Sequence, residues 1–368
     1  MVYTEDGCFI KKDIAIEDEY ISGNDNSYNP PKLYDADGLY LIPGLTDLHF
    51  HGCVGYDFCD GTKEALRAMA EYQASNGITT IAPATMTLKD EALSKTLRNA
   101  AEYRSERGAI LVGIMMEGPY LSHAKKGAQD PKYLKHPDTA HYRKMQTLSG
   151  GLIKILALAP EEAGALECID VLKDEVVISL AHTNADYDIS RKAFDKGASH
   201  LTHLYNAMPA FSHRSPGVIG AAFDSGHVQV ELICDGVHVD PSVVRATFKM
   251  FGEYRVILIS DSMMATGLGD GQYSLGGQNV TVTGSKATLA DGTIAGSTTN
   301  LMQCMRIAVS FGIPLPIAIK CAAVNPAREL GIYDKYGSIT PGKYANLVLL
   351  DQKLEVVKVI LKGELLDR

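Results

Sequence analysis

Eight short β-branched or apolar runs alternate with stretches whose apolar residues recur at spacings of three and four, and this alternation constrains the fold more than any other feature. The runs cover 45–49, 78–83, 109–116, 152–159, 176–181, 198–202, 228–234 and 256–260. Helical spacing fills 63–76, 90–107, 161–173, 186–196 and 241–251 between them. Strands separated by helices pair in parallel, and eight such α/β units close into a (β/α)8 barrel of TIM type. An open doubly wound sheet fits less well, because no Gly-x-Gly-x-x-Gly phosphate loop follows an early strand.

The expected barrel domain spans 45–334, and the two ends differ from it. Residues 1–44 and 335–368 lean towards β structure, with turn signals at Asn29-Pro30-Pro31 and Pro341-Gly342. Neither segment is long enough for a core of its own, so both are expected to join in one small β-sandwich domain. A further β-like stretch at 279–294 follows the eighth strand, and helical spacing returns at 297–311 and 316–330.

Charge and composition remove several classes of function. A formal net charge of −9 leaves no global basic field for nucleic acid or anionic lipid, so an anionic ligand needs a local pocket. The first residues lack the pattern of a signal peptide and no apolar stretch approaches a membrane span, which predicts a cytoplasmic protein without membrane partners. Seven cysteines without a Cys-x-x-Cys pair fit reduced thiols better than a disulfide framework.

Metal-competent side chains collect where the runs stop. In Pro-Gly-Leu-Thr-Asp-Leu-His-Phe-His-Gly, at 43–52, His49 and His51 are two apart. On a strand that spacing puts both on one face, about 7 Å apart, and neutral imidazole suits zinc, iron or nickel. Glu117, His182, His203 and Asp261 each follow another run. Taken singly, each has a structural explanation as a helix cap or a partner for backbone carbonyls. Five of eight strands end this way, however, and in a barrel those ends converge on one mouth.

Six segments carry a family resemblance: the His-x-His stretch, Met116-Glu117-Gly118-Pro119, Ala181-His182-Thr183, His203-Leu204-Tyr205-Asn206-Ala207-Met208, Asp235-Gly236-Val237-His238-Val239-Asp240, and Ser260-Asp261. Together they closely resemble the N-acetylglucosamine-6-phosphate deacetylases of the amidohydrolase superfamily, over nearly the whole chain. The resemblance implies Glu117, His182 and His203 as ligands of a main divalent ion, zinc or iron. His49 and His51 would serve a second ion, giving one or two per chain, with two expected because both histidines are present. It also implies Asp261 as catalytic base and acid, and a homodimer. Asn206, Ala207, Arg214 and His238 match positions that hold the sugar phosphate, with Arg214 in its own or its partner's site. Ala295 and Gly296 match a segment lining the sugar pocket, and Ala128-Gln129 another. Gln129 stands where many relatives have a histidine thought to polarise the acetyl carbonyl; it can donate a hydrogen bond but cannot carry a positive charge.

The implied reaction turns N-acetylglucosamine 6-phosphate into acetate and glucosamine 6-phosphate, in amino-sugar catabolism and cell-wall sugar recycling. A cation-activated water would attack the acetamide carbonyl while Asp261 moves the proton to the leaving nitrogen. The alternatives are an N-acetylgalactosamine-6-phosphate deacetylase, a cyclic-amide hydrolase or deaminase, a metal phosphoesterase, and a non-catalytic sugar-phosphate-binding protein. His136, His141, His200, His213 and His227 have no motif support and read as structural or surface residues.

Overall fold

The apolar runs form parallel strands in the computed structural model, which describes residues 1–23, 33–105 and 107–366. They are β1 (Leu45–Asp47), β2 (Ile78–Ile81), β3 (Ile114–Met116), β4 (Ile153–Leu158), β5 (Val177–Leu180), β6 (His200–Leu201), β7 (Gln229–Ile233) and β8 (Val256–Ile259). Strands β3 to β8 pair in chain order in one parallel sheet, and β1 pairs with β2 in another. A parallel bridge between Ala84 and Met115 links the end of β2 to β3. Beyond β8, Asp261 N–H donates to the His49 carbonyl at 3.0 Å and His51 N–H to the Ser262 carbonyl at 2.7 Å. These bonds tie the C-terminal ends of β8 and β1 together, as a TIM-type arrangement requires. Burial on both faces explains why the runs are continuously apolar instead of alternating: all four residues of β8 are inaccessible.

Several boundaries differ from expectation. Strand β1 stops at Asp47, so the His-x-His pair lies in the loop after the strand and not on its face. The run 109–116 is split into Ile110–Leu111 and β3. The helix expected over 90–107 ends at Glu102, because Tyr103 turns extended at φ −65°, ψ 135°. Between 316 and 330 the helix has three pieces, Leu315–Ile319, a π turn at Lys320–Val324, and Asn325–Glu329.

Two helices lacked a readable period. Thr139–Leu148 is short and polar, and it starts where the Asp138 side chain accepts from Ala140 and His141 N–H. Gly217–Asp224 is apolar on every side and mostly buried, so it shows no stripe. The β-like stretch expected at 279–294 belongs to a larger antiparallel sheet of Gly271–Leu275, Gln278–Thr283, Lys286–Thr288 and Ile294–Ser297. The Asn29-Pro30-Pro31 turn signal lies outside the described residues.

One six-stranded sheet unites the ends of the chain, in the order Phe9–Ile10, Val2–Tyr3, Tyr40–Pro43, Leu347–Leu350, Val356–Leu361, Glu364–Leu365. Gly44 connects this sheet to β1, and its N–H donates to the Asn346 carbonyl at 2.8 Å. A Cβ at Gly44 would lie 2.2 Å from the Thr79 hydroxyl oxygen and 2.8 Å from the Thr79 Cβ. Gly44→Ala is therefore expected to lower stability by about 1–3 kcal/mol through overpacking. Gly226→Ala, whose Cβ meets nothing within 4 Å, should stay within about 0.5 kcal/mol of wild type. The shift in denaturant midpoint of the two variants decides this.

Candidate active site

Three residues after barrel strands adopt backbone conformations that side chains other than glycine rarely take: His182 at φ 43°, His203 at 29° and Asp261 at 48°. Such strain persists only where the surroundings fix it, and it gathers at functional sites. Here each turn is tied by a main-chain hydrogen bond. His203 N–H donates to Glu231 Oε2 at 2.9 Å. The carbonyls of His182 and Asp261 accept from Ser122 N–H at 3.0 Å and Ser297 N–H at 2.7 Å.

The side chains so placed form two buried clusters, Glu117 with His182 and His203, and His49 with His51 and Asp261. In the first, His182 Nδ1 faces the Lys125 carbonyl at 2.9 Å and His203 Nδ1 the Asn206 carbonyl at 3.1 Å. A carbonyl only accepts, so both Nδ1 atoms carry the proton and both Nε2 atoms are bare in the neutral ring. Those two Nε2 atoms lie 3.1 Å apart, and 3.1 and 3.2 Å from Glu117 Oε1. Three lone pairs converge on one point. A tetrahedral cation with bonds of about 2.0–2.1 Å separates its ligand atoms by roughly 3.3 Å, so the spacing fits.

The second cluster repeats the logic. His49 Nδ1 is committed to Glu231 Oε2 at 2.8 Å, and the buried His49 Nε2 has no hydrogen-bond partner. It lies 3.7 Å from both Glu117 Oε1 and Asp261 Oδ1. His51 Nε2 lies 3.3 Å from Glu117 Oε2 and 3.3 Å from Asp261 Oδ1. Glu117 thus stands between the clusters, one oxygen towards each. An orphaned buried nitrogen among carboxylates fits a divalent cation.

Charge balance follows from this crowding. Burial acts to raise the Glu117 carboxyl, but the His49, His182 and His203 rings outweigh it and hold the group well below its ordinary value. Burial likewise opposes ionisation of Asp261, and its hydrogen bond with His51 and the charges of His49 and His203 lower it. For His51, burial favours the neutral ring, but Asp261 and Glu117 carry it up to about 10.

Both clusters open into a cavity of about 370 Å³ lined by His51, Glu117, Ala128, Gln129, His182, Asn206, Ala207, His238, Asp261 and Gly296 among others. That volume suits a small ligand. His238 Nδ1 is held by Asp235 Oδ2 at 2.6 Å, which leaves its Nε2 for a ligand. Ala207 has φ 53° in the turn after His203. Ala295 is fully buried, and its neighbours Ile294 and Gly296 line the wall. Arg214 is the exception: it is exposed in the turn closed by Ser212 and Ser215 and does not line this cavity. Gln129 is already engaged, its Nε2 donating to Glu117 Oε2 at 2.9 Å and its Oε1 accepting from Thr87 N–H at 2.7 Å. It therefore orients the Glu117 carboxylate.

Residues 40–366 match the amidohydrolase family. The chain belongs to it. This amidohydrolase is 39% identical to N-acetylglucosamine-6-phosphate deacetylase of Bacillus subtilis, the alignment covering 96% of each chain. It is 34% identical to N-acetylgalactosamine-6-phosphate deacetylase of Escherichia coli O157:H7, over 98% of this chain and 96% of the relative. A solved structure of N-acetyl-D-glucosamine-6-phosphate deacetylase from Mycobacterium smegmatis, in complex with N-acetyl-D-glucosamine-6-phosphate, superposes with a TM-score of 0.88 at 35% identity. That superposition covers 95% of this chain and 93% of the other.

Some residues of the site went unnoticed in sequence. Lys125 lines the cavity in a 3-10 turn, without a motif of its own. Glu231, with His200 and Glu329 behind it, lies beneath the two clusters. A signal existed all the same in its place: Glu231 is a buried carboxylate between Val230 and Leu232 of a barrel strand, and such a residue is seldom buried without partners. His200 was read as structural, and it is fully buried between those two carboxylates.

Metal uptake is expected to displace protons, since the imidazole of His51 keeps its proton below about pH 10 while no cation competes for it. Protein stripped by chelation should release at least one proton per chain when zinc binds at neutral pH, with affinity rising as pH rises. Calorimetry in buffers of different ionisation enthalpy measures this. Equal heats in all buffers would rule it out.

Proposed function

We propose that this amidohydrolase cleaves the acetamide of N-acetylglucosamine 6-phosphate, giving acetate and glucosamine 6-phosphate. The observation that carries this reading is Asp261, whose Oδ1 lies at the mouth of a metal-competent cluster and lines the same cavity as His238 and Asn206. The names and high coverage of the relatives support the substrate class. On this reading 45–334 is the (β/α)8 catalytic domain, and 1–44 with 335–368 form the small β-sandwich domain. The free thiols support a cytoplasmic setting.

Two divalent ions, zinc or iron, suit the two clusters, with Glu117, His182 and His203 holding the tighter one and His49 and His51 the other. Bound there, such an ion supplies an activated water at neutral pH and a Lewis acid for the carbonyl. The chain's own residues do the rest. Asp261, kept ionised by the neighbouring imidazoles, takes the water's proton and returns it to the sugar nitrogen as the C–N bond breaks. Gln129 steadies Glu117 and leaves carbonyl polarisation to the cation site. His238, Asn206 and the Ala207 backbone hold the sugar phosphate, and Ala128, Ala295 and Gly296 shape the sugar wall.

Acetate release from N-acetylglucosamine 6-phosphate tests the reading, with N-acetylgalactosamine 6-phosphate beside it because one relative bears that name. Release of inorganic phosphate in place of acetate would identify a phosphoesterase and overturn it. Asp261→Asn should keep substrate binding while turnover falls by about 10²-fold or more. Near-full turnover in that variant would remove Asp261 from proton transfer.

Arg214 is exposed and stands outside the lining of its own chain's cavity. It suits a homodimer in which its guanidinium reaches the partner's phosphate as a bidentate donor. Arg214→Ala and Asp261→Asn chains, each impaired alone, should regain about a quarter of wild-type activity when co-assembled, because half of a random mixture is heterodimeric and one site in each heterodimer is intact. No recovery would place Arg214 in its own subunit's site or outside the reaction.

A further inference from the structure

Glu231 is a charged residue at the centre of β7, flanked by Val230, Leu232 and Ile233, and its side chain is wholly inaccessible. Nothing in the chemistry above uses it. Its contacts nevertheless reach both clusters at once. Oε2 accepts from His49 Nδ1 at 2.8 Å, and the same oxygen accepts from the His203 backbone N–H at 2.9 Å. The Glu231 carbonyl accepts from Leu204 N–H at 2.9 Å, so side chain and main chain together grip the turn after β6. That turn holds His203 at φ 29°.

The other oxygen points away from the cavity. Glu231 Oε1 meets His200 Nε2 at 3.0 Å, and His200 Nδ1 meets Glu329 Oε1 at 2.7 Å. His200 opens β6, and Glu329 ends the helix Asn325–Glu329, where 13% of its side chain reaches solvent. A line of hydrogen bonds thus runs from the metal ligands through the barrel interior towards solvent, and it fixes the Glu231 carboxylate from behind.

From this geometry we infer that Glu231 is a positioning residue that locks the two metal positions together, by setting the tautomer and aim of His49 and clamping the backbone of His203. A carboxylate behind a ligating imidazole fixes the ring and raises its basicity, and loss of such a partner typically costs 10- to 100-fold in metal affinity. Glu231 differs from an ordinary partner of that kind, because one oxygen serves ligands of two clusters. The inference rests on the two-cluster metal reading above.

Glu231→Gln is the informative change. Its amide has one accepting end, so the NH2 must face either His49 and the His203 N–H or His200, each of which offers a proton already. Turned towards His49, it drives that ring's proton to Nε2, into the place a cation would take. Equilibrium dialysis of the full-length protein with zinc against a competing chelator should show the weaker ion about 10- to 100-fold looser in this variant. The tighter ion should loosen by a smaller factor. Nitrogen chemical shifts of 15N-histidine-labelled protein should report a changed His49 tautomer, which a merely space-filling role would leave alone. Glu329→Gln, at the solvent end, should weaken the same ion in the same direction by less.

Wild-type affinities for both ions and an unchanged His49 ring in Glu231→Gln overturn the inference. If that variant does not fold, wild-type affinities in Glu329→Gln overturn it. Should the wild-type protein bind one zinc per chain, the two-ion reading fails separately, and the affinity of that single ion in the variants still decides the role of Glu231.

Discussion

Two imidazole nitrogens pointed at each other and at a carboxylate, with a third on the far side of that carboxylate, are what the rest of the molecule is arranged to hold. In their neutral rings the Nε2 atoms of His49, His182 and His203 are bare, because each Nδ1 is already committed, to Glu231, to the Lys125 carbonyl and to the Asn206 carbonyl. One water has two protons and cannot donate to all of them and to Glu117 together. A cation can. The inward convergence of parallel strands, the strained turns at His182, His203 and Asp261, and the engaged amide of Gln129 all serve that one electrostatic arrangement.

Crowding of this kind is costly in a folded protein, because ionised groups leave water for an interior of low dielectric. The chain spreads the cost through charge alternation. Carboxylates and imidazoles succeed one another from Asp261 and His51 through Glu117 and His49 to Glu231, His200 and Glu329. Each charged group meets one of opposite sign at hydrogen-bond or near-contact distance. The barrel thereby carries its alternating charges along one internal line, on which Glu231 is the carboxylate set within a strand.

The same physics sets what could be read from sequence. Strand runs and amphipathic helices such as Pro241–Phe251 were legible because each buries a face with its own period. Gly217–Asp224 was not, since a helix buried on all sides has no stripe. His49 and His51 were legible as a pair by their spacing, yet their place beyond the strand end depends on where ladder hydrogen bonds stop, which residue type alone does not encode. Cluster residues at strand ends were recognisable because the barrel makes those positions equivalent. Glu231 and His200 were missed as functional because their role depends on which atoms face each other across the barrel, between residues 182 positions apart in the case of His49 and Glu231. Arg214 shows the converse: a family resemblance singles out the residue, and the cavity of its own chain does not include it.

The terminal sheet sets an order of events during synthesis. Its central strand, Leu347–Leu350, pairs on one side with Tyr40–Pro43 and on the other with Val356–Leu361. Tyr40–Pro43 leaves the ribosome before any barrel strand, and its partner only after all eight. An apolar strand edge therefore stays uncovered on the nascent chain while the whole barrel is being made. Unpaired edges of that kind are templates for association with other chains. The burden of keeping this protein from aggregating thus falls on the period of translation, before the metal ligands have a finished barrel to hold them.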